Sequence, residues 1–129
     1  MPSATNVSET SNNRIFDLKV IAAGAISPAV TLALPRCRIA AVPGTGATVK
    51  VFKSASPPSL IAADAAAGRL TYANFNGGDL STLSSNWALW AAGSATNYAT
   101  EGTIDGSAWS AVIAISTGGT ANLEIVQTP

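Results

Sequence analysis

Histidine is absent from this chain, and cysteine occurs once, at Cys37. The first absence removes Ser-His-Asp and Cys-His catalysis and most zinc sites. The second rules out an internal disulfide and every multi-cysteine metal motif. Charge is scarce as well: 11% of residues are charged, and seven basic side chains balance seven acidic ones. Such a chain has no field to draw in nucleic acid or an anionic membrane. No apolar run approaches the length that spans a bilayer. The N-terminus carries no basic-then-apolar leader, so the expectation is a soluble protein made in the cytosol. The acids Asp64, Asp79, Glu101 and Asp105 stand singly, without the alternate-position spacing of a calcium loop. Asp79 and Asp105 could act as a carboxylate pair only if the fold brought their loops together. The sequence therefore predicts no catalytic residue, no metal site and no cofactor, and the chain is not expected to be an enzyme.

What is present is a large apolar share, 47% of 129 residues, much of it alanine, with Ser, Thr, Asn and Gly as the commonest polar residues. The length suits one domain with a real core. A water-exposed surface usually carries about twice this share of charge. The exposed surface is then either covered with hydroxyls and amides or buried against other subunits. Residues 1–13 are almost wholly polar and show no periodicity, which predicts a flexible arm. The remainder, 14–129, reads as a single β-sandwich domain.

From Arg14 the pattern alternates. Phe16, Leu18, Val20 and Ala22 share one phase, taken as the buried one, and Asp17 and Lys19 the other. A second strand carries Val30, Leu32 and Leu34. In a third, Cys37, Ile39 and Ala41 oppose Arg36 and Arg38. A fourth, after the Pro43-Gly44-Thr45-Gly46 turn, sets Val49 and Val51 against Lys50 and Phe52. Short strands at this spacing predict an all-β fold, an antiparallel sandwich or jelly-roll-like barrel with at most one or two short helices. Residues 59–68 suit one or two helical turns, with Ser59 as cap and Gly68 as stop. Residues 69–73 read as a short strand. Residues 80–92 read either as a helix, from the spacing of Leu80, Leu83, Trp87 and Trp90, or as a loop through Asn86 followed by a strand; the poor helix formers between favour the second. Residues 97–106 read as a connection with a brief strand around Tyr98.

The C-terminal stretch is expected to be a β-hairpin. A three-residue loop, Thr117-Gly118-Gly119, with Gly119 in the left-handed position, sets Ile115 opposite Ala121, Ile113 opposite Leu123 and Ala111 opposite Ile125. Trp109 would lie on the same apolar face.

Candidate sites are sparse. The segment 43–50 superficially resembles a phosphate-cradling loop, yet it lacks the final Gly-Lys-Ser/Thr and leads into a strand, so it reads as a β-turn. Cys37 sits on the apolar phase of its strand and reads as a small buried hydrophobe. Trp87, Trp90 and Trp109, with Tyr72 and Tyr98, could stack on sugar rings or pack at interfaces. Strand phase places Trp87 and Trp90 on opposite faces, one in the core and one at a contact. The expected protein-contact residues are Trp90, Tyr98, Arg36, Arg38 and, in the arm, Val7.

Three stretches, Val49-Lys50-Val51-Phe52-Lys53-Ser54-Ala55-Ser56-Pro57-Pro58, Trp87-Ala88-Leu89-Trp90-Ala91-Ala92-Gly93 and the closing Leu123-Glu124-Ile125-Val126-Gln127, resemble small structural virion proteins of tailed bacteriophages. The resemblance spans residues 49–127. It implies a β-sandwich that decorates or cements a capsid, or sits in a tail or fibre. Its partners would be the major capsid protein or another virion protein, with sister subunits in a dimer or trimer, and it would reside in the virion after synthesis in the host cytoplasm. It implies no catalytic residues. The Ala/Ser-rich middle and the helix-like spacing around Leu83 depart from a plain sandwich. The alternative function is a carbohydrate- or receptor-binding module of a tail or fibre, with Trp90 as stacking platform.

Overall fold

The computed structural model describes residues 5–96 and 98–129; residues 1–4 of the expected arm and Asn97 lie outside them. The alternating pattern folds into an antiparallel β-sandwich. One sheet holds five strands, β1 (Val7–Ser11), β2 (Arg14–Ile21), β5 (Arg36–Pro43), β9 (Thr100–Asp105) and β11 (Ala121–Thr128), in the order β1-β2-β11-β5-β9. In the other, β10 (Ala111–Thr117) pairs on one side with the short β3 (Ala25–Ile26) and β4 (Val30–Thr31). On its other side lies β6 (Thr48–Ser54), which also pairs with β7 (Ala88–Leu89) and β8 (Ala95–Thr96). Helices α1 (Pro58–Ala66) and α2 (Tyr72–Phe75) and a 3-10 turn, Ala91–Gly93, complete the chain.

The main core lies between the sheets, where Ile39, Ala41, Leu123 and Ile125 meet Val49, Val51, Val112 and Ala114. A second core covers the far side of the β10 sheet, with Phe52, Phe75, Ile113 and Ile115 packed under Leu70, Leu80, Leu83 and Trp87. Phe75 stands edge-on to both Phe52 and Trp87, at 5.1 and 5.6 Å between ring centres. The β10 sheet is therefore covered on both faces.

That double cover corrects the expected C-terminal hairpin. Both strands form, but β10 pairs with β6 while β11 pairs with β2 and β5, so the intervening turn crosses from one sheet to the other. Residues 111–116 are all buried. A hairpin with one dry face would leave Val112 and Ala114 in water, and burying a valine stabilises by about 1.5–3 kcal/mol. The left-handed residue is Gly118, at φ 82°, not Gly119. A Cβ on Gly118 would stand 2.6 Å from the Gly46 carbonyl oxygen, and one on Gly119 2.6 Å from that of Thr45, so the crossing turn packs against the turn before β6.

The phase of β2 is also the reverse of the expected one. Its ladder with β11 sets Ile21 opposite Ala121, Lys19 opposite Leu123 and Asp17 opposite Ile125, and directly opposed residues share a face. Ile15, Asp17, Lys19 and Ile21 thus turn toward the core side, and Phe16, Leu18 and Val20 turn outward. The inward charges pair with each other, Lys19 Nζ lying 3.7 Å from Asp17 with side chains 18% and 10% exposed.

Other differences are local. Within the expected arm, Val7–Ser11 is a strand paired with β2, joined by Asn12-Asn13, both left-handed at φ 51° and 60°, as a two-residue hairpin turn requires. Residues 72–75 form one helical turn in place of the expected strand, because the Thr71 hydroxyl accepts the Asn74 amide proton at its start. The strand expected in 87–92 shrinks to Ala88–Leu89, and the brief one near Tyr98 gives way to the six residues of β9. Helix α1 ends as expected before Gly68, at φ 70°.

Candidate functional site

The five-stranded sheet has one covered face and one open face. Register alone lays out the open side as a grid, since opposed residues project together. The first row is Val20, Asn122, Val42. The second is Val7, Leu18, Glu124, Ala40, Glu101, and the third Glu9, Phe16, Val126, Arg38, Thr103. The fourth holds Ser11 opposite Arg14 at one edge and Thr128, Arg36 and Asp105 beyond the last β2–β11 pair. An apolar patch of Phe16, Leu18, Val20, Val42 and Val126, each half-buried by its neighbours, occupies the middle, with Val7 at its edge, 36% exposed.

Arg14, Arg36 and Arg38 gather at the end where β2 begins and β11 finishes, around an open depression of about 740 Å³ that Asp105, Val126 and Thr128 also line. Arg38 is bound to Glu101, with Nε 3.0 Å from the carboxylate. Arg14 and Arg36 form no ion pair among the described residues, and neither does Glu124, two rows away. Beside Glu124, Asn122 is buried and its Oδ1 accepts no hydrogen bond among the described residues.

A second polar cluster is structural. Asp64 of α1 is fully buried and accepts hydrogen bonds from the Ser84 amide (2.8 Å), the Ser85 amide (2.8 Å), the Ser85 hydroxyl and Arg69 Nε (2.8 Å). Burial pushes its carboxyl pKa up. The Ser85 hydroxyl, the two amides and Arg69 outweigh that and hold it well below the usual carboxylate range. The cluster fastens the loop after α2 to α1, and Trp87 Nε1 donates to the same Ser85 hydroxyl at 2.9 Å. Asp79 and Asp105 each accept from their own turns, at Ser81 and Ser107. Hydrogen bonds from Ser81 lower the Asp79 pKa. Among the described residues, no three Cys, Asp or Glu side chains group as metal ligands.

The expected contact residues separate. Arg36 and Arg38 lie on the open face with Val7. Tyr98 stands apart at the β8–β9 connection, 82% exposed. Trp90 is the correction: it is 8% exposed and packs in the main core. Its ring fits there because Gly93 and Gly102 lack side chains; a Cβ on either would fall 2.0 or 2.8 Å from ring carbons. Trp87 packs in the second core, so the two tryptophans do take opposite faces, but neither supplies an exposed stacking platform. Trp109 is half-buried beneath Lys53, whose Nζ lies 4.1 Å from the ring centre. Cys37 is buried and donates to the Leu34 carbonyl.

Arg14, Phe16, Leu18, Glu124 and Val126 were not singled out as contact residues from sequence. Their one legible signal is that both phases of β2 carry apolar residues, Ile15 and Ile21 on one and Phe16, Leu18 and Val20 on the other.

No protein-family model matches the chain, and no curated protein does. Two solved structures are similar to it at low scores. A chain of the disulfide-linked pili that form Bacillus endospore appendages is 18% identical, with 96% of this chain and 98% of that one covered and a TM-score of 0.32. The glycoside hydrolase domain of Endo-D from Streptococcus pneumoniae R6 is 12% identical at a TM-score of 0.34; the match covers 97% of this chain and 20% of that one.

Proposed function

We propose that this chain is a structural virion protein of the capsid-decoration or cement kind, which works by protein-to-protein contact through the open face of its five-stranded sheet. The observation that carries the reading is the contrast between the two sheets. The β10 sheet has its outer face closed by Leu70, α2 and the loop after it, whereas β2 and β11 of the other sheet turn Phe16, Leu18, Val20 and Val126 outward, and β2 turns its Lys19–Asp17 pair inward. A β2 that faced only water would present the opposite phase. The partners would be the major capsid protein or another virion protein, and sister subunits. A protein that binds only the assembled shell stabilises it by mass action.

The test is compositional. Particles purified on a density gradient from the source culture should contain the chain at a fixed copy number per shell. Phe16→Glu, which leaves the core untouched, should lower that occupancy. Particles that lack the chain altogether refute the reading.

A further inference from the structure

We propose that a cleft walled by Trp87 and Trp109, at the end of β6, binds a saccharide ring that carries a carboxylate. With Lys53, Pro57, Leu60 and Asn86 the two tryptophans enclose about 500 Å³, a volume in the range that small ligands fill. None of these residues belongs to the five-stranded sheet, so the site is separate from the contact face. Three observations carry the inference.

The first is that both walls are fastened to one buried residue. The Ser56 hydroxyl accepts the Asn86 amide proton at 2.8 Å, next to Trp87, and the Ser56 carbonyl accepts the hydroxyl proton of Ser110, next to Trp109. Trp87 is held again by its Nε1 bond to Ser85 and its edge-on contact with Phe75. A ligand entering such a cleft has little chain to order, which keeps the cost of binding low.

The second is the mixed character of the walls. Both indoles are half-buried, so each leaves broad apolar surface in the cleft, and the C–H face of a sugar ring matches such a surface. Asn86 is exposed beside them, and its carboxamide offers a donor and an acceptor to ring hydroxyls. The third is charge. Lys53 stands with Nζ 4.1 Å from the centre of the Trp109 ring and forms no ion pair among the described residues; no Asp or Glu lines the cleft. An ammonium fixed over one indole face and left without a counter-charge favours an anionic substituent. The ring therefore packs on the indole surface that Lys53 leaves open, with its carboxylate on the ammonium and its hydroxyls toward Asn86.

Titration of the full chain, followed by tryptophan fluorescence and saturation-transfer NMR, tests this with glucuronate, galacturonate and N-acetylneuraminate as probes and glucose and acetate as controls. At least one acidic sugar should bind saturably, with a Kd on the order of 1 mM, and more tightly than either control. Lys53→Met keeps the apolar stem and removes the charge; it should weaken the acidic sugar by about fivefold and leave glucose unchanged. Asn86→Ala should weaken both sugars, and Trp109→Ala should abolish binding. Circular dichroism establishes that each variant is folded, and Lys53→Met decides the matter if Trp109→Ala is not. The proposal is overturned if none of the three acidic sugars binds saturably, if acetate binds as tightly as they do, or if Lys53→Met leaves their affinity intact. None of these results touches the contact reading, which is decided by the presence of the chain on particles and the Phe16→Glu occupancy.

Discussion

Replacing Asp64 with asparagine removes the charge that holds the helical layer to itself. Each carboxylate oxygen accepts two hydrogen bonds, one from Arg69 Nε and the Ser84 amide, the other from the Ser85 amide and hydroxyl. An amide keeps one acceptor oxygen and turns an NH2 toward donors. Two charge-assisted bonds are lost, at about 1.5–3 kcal/mol each, so a cost of about 3 kcal/mol is the lower expectation. For a chain of this length that corresponds to a fall in Tm of roughly 10 °C. The loop that carries Leu83 and Trp87 over Phe52, Phe75 and Ile113 should loosen first, seen as a red shift of tryptophan fluorescence and faster exchange of the Ser84 and Ser85 amides. The pH dependence is a second check. Asp64 has a folded pKa below its unfolded value near 3.9, so its contribution is fully present above about pH 5 and is lost as pH falls through the unfolded value toward the folded one. The gap between wild type and Asp64→Asn in urea denaturation should be constant from pH 5 to 8 and narrow below pH 4. A variant within 1 kcal/mol of wild type, or a gap that does not narrow in acid, refutes the reasoning.

Three further outcomes follow from the geometry. Gly119→Ala brings a Cβ to 2.6 Å from the Thr45 carbonyl and 3.1 Å from the Ala47 nitrogen, so it should destabilise by about 1–3 kcal/mol in denaturant titration, with both turns shifting in amide spectra. Asn13→Gly relieves a left-handed non-glycine residue in the β1–β2 turn and should raise stability by about 0.5 kcal/mol, with slower exchange across that hairpin. Cys37 should react with iodoacetamide only as fast as the fold opens. Burial raises its thiol pKa first of all, and the neighbouring Asp105 charge adds to that; labelling at the rate of a free thiol would show the site to be open.

Where one phase of a strand is apolar and the other is not, the pattern was enough. Cys37, Ile39 and Ala41 face inward against Arg36 and Arg38, Val49 and Val51 against Lys50, and Gly68 stops α1, all legible from period and punctuation. The candidate surface was legible only in part. Arg36 and Arg38 were visible as a polar phase, but the apolar middle of the face was assigned to the core, because β2 carries aliphatic residues on both phases and its ladder with β11, a hundred residues away, decides between them.

The amino-acid order thus establishes that the chain makes half-buried antiparallel strands with few charges, because alternation and β-branching are local properties. It leaves open which strand neighbours which. A run such as Ala111-Val112-Ile113-Ala114-Ile115 is equally compatible with a hairpin partner ten residues on and with β6 sixty residues back. The choice falls to the packing that buries both its faces at once. The same holds for Trp90, which reads as a contact residue until the folded chain sets it against two glycines whose missing side chains make room for its ring.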